Sequence, residues 1–264
     1  MANILDQKYC KSPSVFLPEN LLREARRQKK IEKCDVPPIC VLDPDGDLAD
    51  YLIKNHSAIK NDCWACYHSL LYSFQIDNEI IGIIPCVVGS PYAVLVAEQL
   101  FVSGCSLLLS ITSAGIIKEK SSTKTFALIT NAVRDEGTSY HYLPPDEPAD
   151  LNAGLLRVLQ SNTLNSECPF FEGSSWTTDA PYRETQRAIN HMKQKGIDCV
   201  EMEASALYAL SAVKNYPIIC FAHLTNSMAQ AEGDFEKGEE SGSLDCLNLI
   251  KFILRIHELK KSGN

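Results

Sequence analysis

Along this chain, short apolar runs alternate with longer stretches in which apolar residues recur at helical spacing. The runs predict strands at 37–42, 69–76, 79–88, 106–112, 126–133, 174–178, 199–202 and 217–225, most of them bounded by turn residues. The longer stretches predict helices at 46–55, 90–102, 150–159, 184–195 and 244–260, and the run VEMEASALYAL opens a further helix after Glu203. Asp77 and Asn78 make a tight turn between two of the strands, and Gly196 stops a helix. The aromatic and proline-rich stretch 139–148 and the polar stretch 233–242 read as loops. This alternation implies an α/β layered architecture. With no linker, repeat or low-complexity segment, residues 1–264 are expected to form a single domain. Within it, residues 1–36 are an N-terminal extension whose helix carries Arg23, Arg26, Arg27, Lys29 and Lys30 on a solvated face.

In α/β sheets ligands bind beyond the carboxyl ends of strands, and three such ends carry candidate chemistry. At the first, Val200 is followed by Glu201, Met202 and Glu203, which set two carboxylates around one thioether. A carboxylate there can accept hydrogen bonds from vicinal hydroxyls, and a methionine gives a soft apolar floor for a sugar ring. The same residues also suit an ordinary helix N-terminus, where acidic groups favour the dipole. At the second, Thr112, Ser113, Ala114 and Gly115 form a small-residue turn. Its N–H groups and hydroxyls can bond an anion or a ribose oxygen, or it is a plain strand exit. At the third, Asn226 can both donate to and accept from a heterocycle, or serve as a turn residue.

Composition narrows the classes. At 264 residues and 45% hydrophobic, the chain can fill a large core, and its net charge of −8 argues against a nucleic-acid polymer as partner. No apolar run has membrane-spanning length and the first residues lack a hydrophobic signal core, so a cytoplasmic protein is expected. The 11 cysteines lie mostly in apolar runs and are expected to be reduced. Cys63 and Cys66 form a C-x-x-C with His68 nearby, a candidate redox pair or partial metal site; the missing second ligand pair favours packing.

Four segments add a resemblance: VVGSPYAVLVAEQLFVSG, LLLSITSAG, AVRDEGTSYHYLPP, and WTTDAPYRET leading into VEMEASALYAL. In this order, from about Pro38 to Ile256, they resemble the nucleoside phosphorylase and nucleosidase superfamily. The resemblance implies a three-layer α/β/α sandwich with a mixed, partly barrel-like central sheet, and cleavage of a nucleoside N-glycosidic bond. It implies no metal or organic cofactor, with phosphate as a possible co-substrate. It also implies a homo-oligomer, dimer or hexamer, in which Tyr67 and His68 fall near a residue that crosses between subunits. Carried onto this chain, it has Glu203 hold the ribose hydroxyls, with Glu201 and Met202 beside it, and Asn226 stabilise the departing base. Asn226 favours a 6-oxopurine nucleoside or uridine. Val88, Ser113, Ala114, Gly115 and Val200 line the substrate, while Tyr182, Arg183 and Arg187 lie in the segment that wraps the base.

Two departures bear on the nucleophile. Phosphorylases of this superfamily hold phosphate with two arginines; here Ala49, with Asp43, Asp45, Asp47 and Asp50 around it, stands near the place of one and Ser110 at the place of the other. Either another cation compensates, with Arg134, Arg183 and His68 as candidates, or water attacks with Asp47 or Asp50 as base. Phosphorolysis is the leading expectation, hydrolysis the second, and a non-catalytic nucleoside-binding or storage protein the third.

Overall fold

The computed structural model describes residue 5 and residues 8–55, 57–118, 125–163, 168–226 and 237–262. At its centre lies β1 (Ile39–Asp43), a run of five buried residues flanked by the parallel strands β4 (Glu79–Pro85) and β5 (Leu107–Ile116). Parallel strands covered on both faces read as continuous apolar runs, which is why this part was legible as strand. Outside β4, β3 (Tyr72–Ile76) and the three-residue β2 (Ala58–Lys60) add on in antiparallel fashion.

On its other side the sheet curls. β5 pairs in parallel with β10 (Ile218–Asn226), and β10 pairs with the antiparallel β6 (Phe126–Asp135). β6 lies parallel to β8 (Phe170–Thr178), β8 to β9 (Cys199–Glu201), and β9 returns antiparallel to β5. Five strands thus close a ring with no free edge, and a two-residue β7 (Ala149–Asp150) is attached to β6.

Helices cover both faces. α1 (Pro18–Lys29) packs on α3 (Ser90–Phe101), and α3 on α6 (Ala204–Lys214). Elsewhere α7 (Ser243–Ser262) packs on α2 (Asp47–Lys54) and α4 (Ala153–Thr163). α5 (Gln186–Gln194) lays Met192 against a small separate core of Ile117, Trp176, Ile197 and Val200. This is the α/β/α sandwich with a partly barrel-like sheet. No helix among the described residues is long and apolar enough to cross a membrane.

Several boundaries differ from the sequence reading, each for a tertiary reason. β5 extends beyond 112 to Ile116 because ring closure gives Gly115 and Ile116 partners in β9. The helix expected from 150 begins at Ala153, since Asp150 pairs with Asn131 and Asn152 Oδ1 accepts from the N–H groups of Gly154 and Leu155. The strand expected to reach 88 stops at Pro85, after which Cys86 takes a positive φ of 58°. Of the loop at 233–242, residues 233–236 lie outside the described residues. The basic helix is only partly solvated: Arg26 donates to Ser103 Oγ and Lys29 to the carbonyl of Cys66 at 2.6 Å.

The expectation of reduced thiols fails at one pair. Cys63 is joined in a disulfide not to Cys66 but to Cys34, with 5.3 Å between their Cα atoms; the other nine cysteines are free. Disulfides are uncommon in reducing compartments. The bridge closes a loop of sequence separation 29 between the segment after α1 and the one after β2. Loop-closure entropy predicts that Cys34→Ser lowers the unfolding free energy by about 3.6 kcal/mol, a difference measured by denaturant titration that should vanish in reductant. Equal stability with and without reductant would leave the bridge without that role.

Candidate functional site

Two carboxylates, two residues apart, are buried where β9 meets α6, and the structure gives them different surroundings. Glu201 is 4% exposed and accepts from Ser175 Oγ at 2.9 Å, Thr177 Oγ1 at 2.5 Å and the backbone N–H groups of Glu203 and Ala204, both at 2.7 Å. It therefore caps α6 and ties that helix to β8. Glu203, 2% exposed, accepts from the Gly89 N–H at 2.7 Å, from Met202 N–H at 3.3 Å and from the Thr112 hydroxyl. Burial, then the nearby charge of Glu201, pushes Glu203 up to about 8. Burial also raises Glu201, although its four donors oppose the rise.

Gly89 faces this carboxylate because its φ of +88° turns its N–H inward from the start of α3, a conformation that favours glycine. Its neighbour Ser90 donates to the carbonyl of Met202 at 2.8 Å, so the turn at 202–203 is held by the N-terminus of α3. Met202 is half-buried, and Val88, just before Gly89, is 51% exposed.

The small-residue segment lies inside β5, where that strand exchanges neighbours. On one edge β1 pairs as far as Ser110, and β9 takes over only at Gly115. On the other edge β10 places His223 opposite Ser113, Leu224 opposite Ala114 and Asn226 opposite Gly115. Gly115 thus sits between Asn226 and Val200. The side chain of Asn226 lies outside the described residues. The gap between β1 and β9 leaves the Ser113 N–H without a strand partner, and Asp45 fills it. One Asp45 oxygen accepts from that N–H at 2.9 Å and the other from Ser113 Oγ at 2.8 Å.

The acidic loop is built around its own turn. Asp43, 4% exposed, accepts from the N–H groups of Gly46 and Ala49 and caps α2. Burial pushes its carboxyl up to about 7, and Asp45 and Asp47 add to the effect. Lys237 bridges Asp47 at 2.5 Å and Asp45 at 3.4 Å. Burial pulls its ammonium down, but the two aspartates outweigh this and hold it above its usual value. Asp50 is exposed. Ala49 is buried, and Ser110 Oγ is buried with no hydrogen-bond partner among the described residues.

Other candidates make contacts of their own. Val200 is buried in the small core under α5. Tyr67 and His68 are exposed; Tyr67 bonds Gln28 of α1 and His68 accepts, through its carbonyl, from Tyr92. Tyr182 is 98% exposed, with Arg183 and Arg187 exposed beside it. Arg134 uses its guanidinium on Ser139 Oγ and the carbonyls of Leu143, Pro144 and Glu147, with Tyr140 stacked on it, so it braces the 139–147 loop. Sequence reasoning missed the contacts of Ser175, Thr177, Asp45 and Lys237. The density of acidic residues around Asp45 is the one sequence signal that could have pointed to a cation there.

The shifted carboxyls predict how stability varies with pH. Glu203 has a folded value near 8 against an ordinary 4.5, so its contribution is complete below about 4.5 and is lost as pH rises through 8; Asp43 acts in the same direction up to about 7. The melting temperature should therefore decline between pH 5 and 8.5, and less steeply in Glu203→Gln. Parallel declines in both proteins would mean that Glu203 is already ionised in the fold.

Known proteins resemble this chain in sequence and in fold. Guanosine phosphorylase from Halorubrum lacusprofundi is 22% identical over 167 residues, covering 63% of this chain and 66% of that protein. Uridine phosphorylase from Thermococcus kodakarensis is 24% identical over 194 residues, covering 66% and 67%. Matches to curated relatives span 55% to 69% of those proteins' lengths. The solved uridine phosphorylase of Vibrio fischeri ES114 shares the fold, with a TM-score of 0.68 at 19% identity over 84% of this chain and 95% of that one. The family model described as the phosphorylase superfamily matches residues 38–256, which take in every strand of the sheet, and the chain therefore belongs to that superfamily.

Proposed function

We propose that this chain cleaves the N-glycosidic bond of a nucleoside by phosphorolysis, releasing the free base and ribose 1-phosphate. The observation that carries the reading is Glu203, a buried carboxylate held by Gly89 at the carboxyl end of the ring. Once ionised, it accepts from the vicinal ribose hydroxyls, with Met202 against the sugar. As the glycosidic bond lengthens, positive charge grows on the sugar and these charge-assisted bonds strengthen, so they lower the barrier more than they tighten ground-state binding. Asn226 lies at the strand end opposite Gly115 and stabilises the departing base through its amide. An amide donor suits a carbonyl on the base, which favours 6-oxopurine nucleosides or uridine over adenosine, in line with the name of the guanosine phosphorylase relative. Tyr182, Arg183 and Arg187 close over the base, and Tyr67 and His68 reach a neighbouring subunit of a homo-oligomer. Neither a metal nor an organic cofactor is required.

A second reading, hydrolysis, is favoured by one observation: the Ser113 donors already hold the carboxylate of Asp45, while Ala49 and Ser110 stand where the resemblance puts the two arginines. Water would then attack, activated by Asp47 or Asp50.

Incubation with a nucleoside panel, with and without phosphate, separates the readings: ribose 1-phosphate only with phosphate supports the first, and free ribose in phosphate-free buffer the second. Neither product from any nucleoside would leave a nucleoside-binding protein. Glu203→Gln should lower kcat/KM by about 10²-fold or more, and the native kcat/KM should climb with pH towards a plateau above about 8. An unchanged rate in the variant would remove Glu203 from the mechanism.

A further inference from the structure

We propose that Asp45 is an internal competitor for phosphate, its carboxylate occupying at Ser113 the donors that an incoming oxyanion would use. The inference rests on the reading that the nucleophile approaches from the Ser113 and Gly115 side. Its ground is the gap in β5: between the last rung to β1 at Ser110 and the first to β9 at Gly115, the Ser113 N–H has no strand partner. A backbone N–H and a hydroxyl from one residue, aimed together, suit any anion that offers two oxygens. Asp45 meets that description, with one oxygen at 2.9 Å from the nitrogen and the other at 2.8 Å from Oγ. A phosphate presents the same pair of acceptors, so the two anions cannot hold Ser113 at once.

Charge decides the exchange. Asp43, Asp47 and Asp50 surround Asp45 in the loop, and the cation bridging Asp45 and Asp47 is Lys237, from the segment before α7. With Asp45 seated, an approaching phosphate meets a carboxylate on its donors and a lysine already paired. With the Asp45 charge removed, both donors open and the ammonium faces the vacated position 3.4 Å away. Asp45 is therefore a specificity-determining residue that tunes the affinity for phosphate, with Lys237 as counter-ion to whichever anion occupies Ser113.

The test is calorimetric titration of inorganic phosphate into the full chain, which needs no turnover. Asp45→Ala should bind phosphate at least tenfold more tightly than the native protein. Asp45→Asn, which keeps the shape of the side chain, should shift in the same direction. Adding Lys237→Ala or Ser113→Ala to Asp45→Ala should abolish the gain. If Asp45→Ala fails to fold, as judged by thermal unfolding, Asp45→Asn carries the comparison. Native protein that binds phosphate as tightly as the folded variant, or a gain that survives loss of Lys237 and Ser113, would overturn the proposal. Failure of the nucleoside panel would count against the catalytic reading, whereas the titration addresses phosphate exchange by itself.

Discussion

The site depends on burying two carboxylates on the same turn, and the fold handles them unequally. Glu201 takes two hydroxyls from β8 and two N–H groups from α6, which fixes the angle at which that helix leaves β9. A buried carboxylate with four donors has little capacity left for a ligand, since each oxygen offers only about two lone-pair directions. Glu203 then has to lie beside a like charge in the interior. Its protein donors come from a glycine on another helix, its own neighbour and one threonine. The carboxylate that is less completely satisfied is the one with capacity left to accept from a ligand, and the cost of burying it is what raises its proton affinity.

Ring closure supplies the other half of the geometry. β5 belongs to the open sheet through β1 and to the ring through β9, and it cannot pair with both at the same rungs. The interruption exposes backbone donors at Ser113, while β10, continuous along the opposite edge, carries Asn226 to the level of Gly115. Chain crossings of this kind are where α/β sheets open a crevice for ligands.

Much of this was legible in the sequence because central strands buried on both faces carry continuous apolar runs, as in 39–42 and 107–109, and because α3 and α6 carry marked starts at Gly89 and Glu203. What sequence could not reveal depends on residues far apart in the chain. The strand character of 112–116 comes from pairing with β9, the three residues of β2 are too few to show a period, and the partner of Cys63 lies 29 residues away. The division of labour between Glu201 and Glu203 was equally hidden, because the hydroxyls of Ser175 and Thr177 decide it. Arg134 had the right charge for an anion, but the 139–147 loop draws it away.

The acidic loop is the part of the molecule in which local chemistry and family membership pull apart. The family is a phosphorylase superfamily, yet the loop places four aspartates at this strand end with Ala49 buried among them. The structure does not leave those charges to repel one another unchecked. Asp43 turns inward to cap α2, Asp47 pairs with Lys237, Asp50 faces solvent and Asp45 takes the open donors of Ser113. Three of the four thus have a partner inside the protein, and an external anion at Ser113 has to displace one that is covalently part of the chain. Such a displacement is governed by the effective concentration of the tethered group, which the length and stiffness of the turn at Gly46 set.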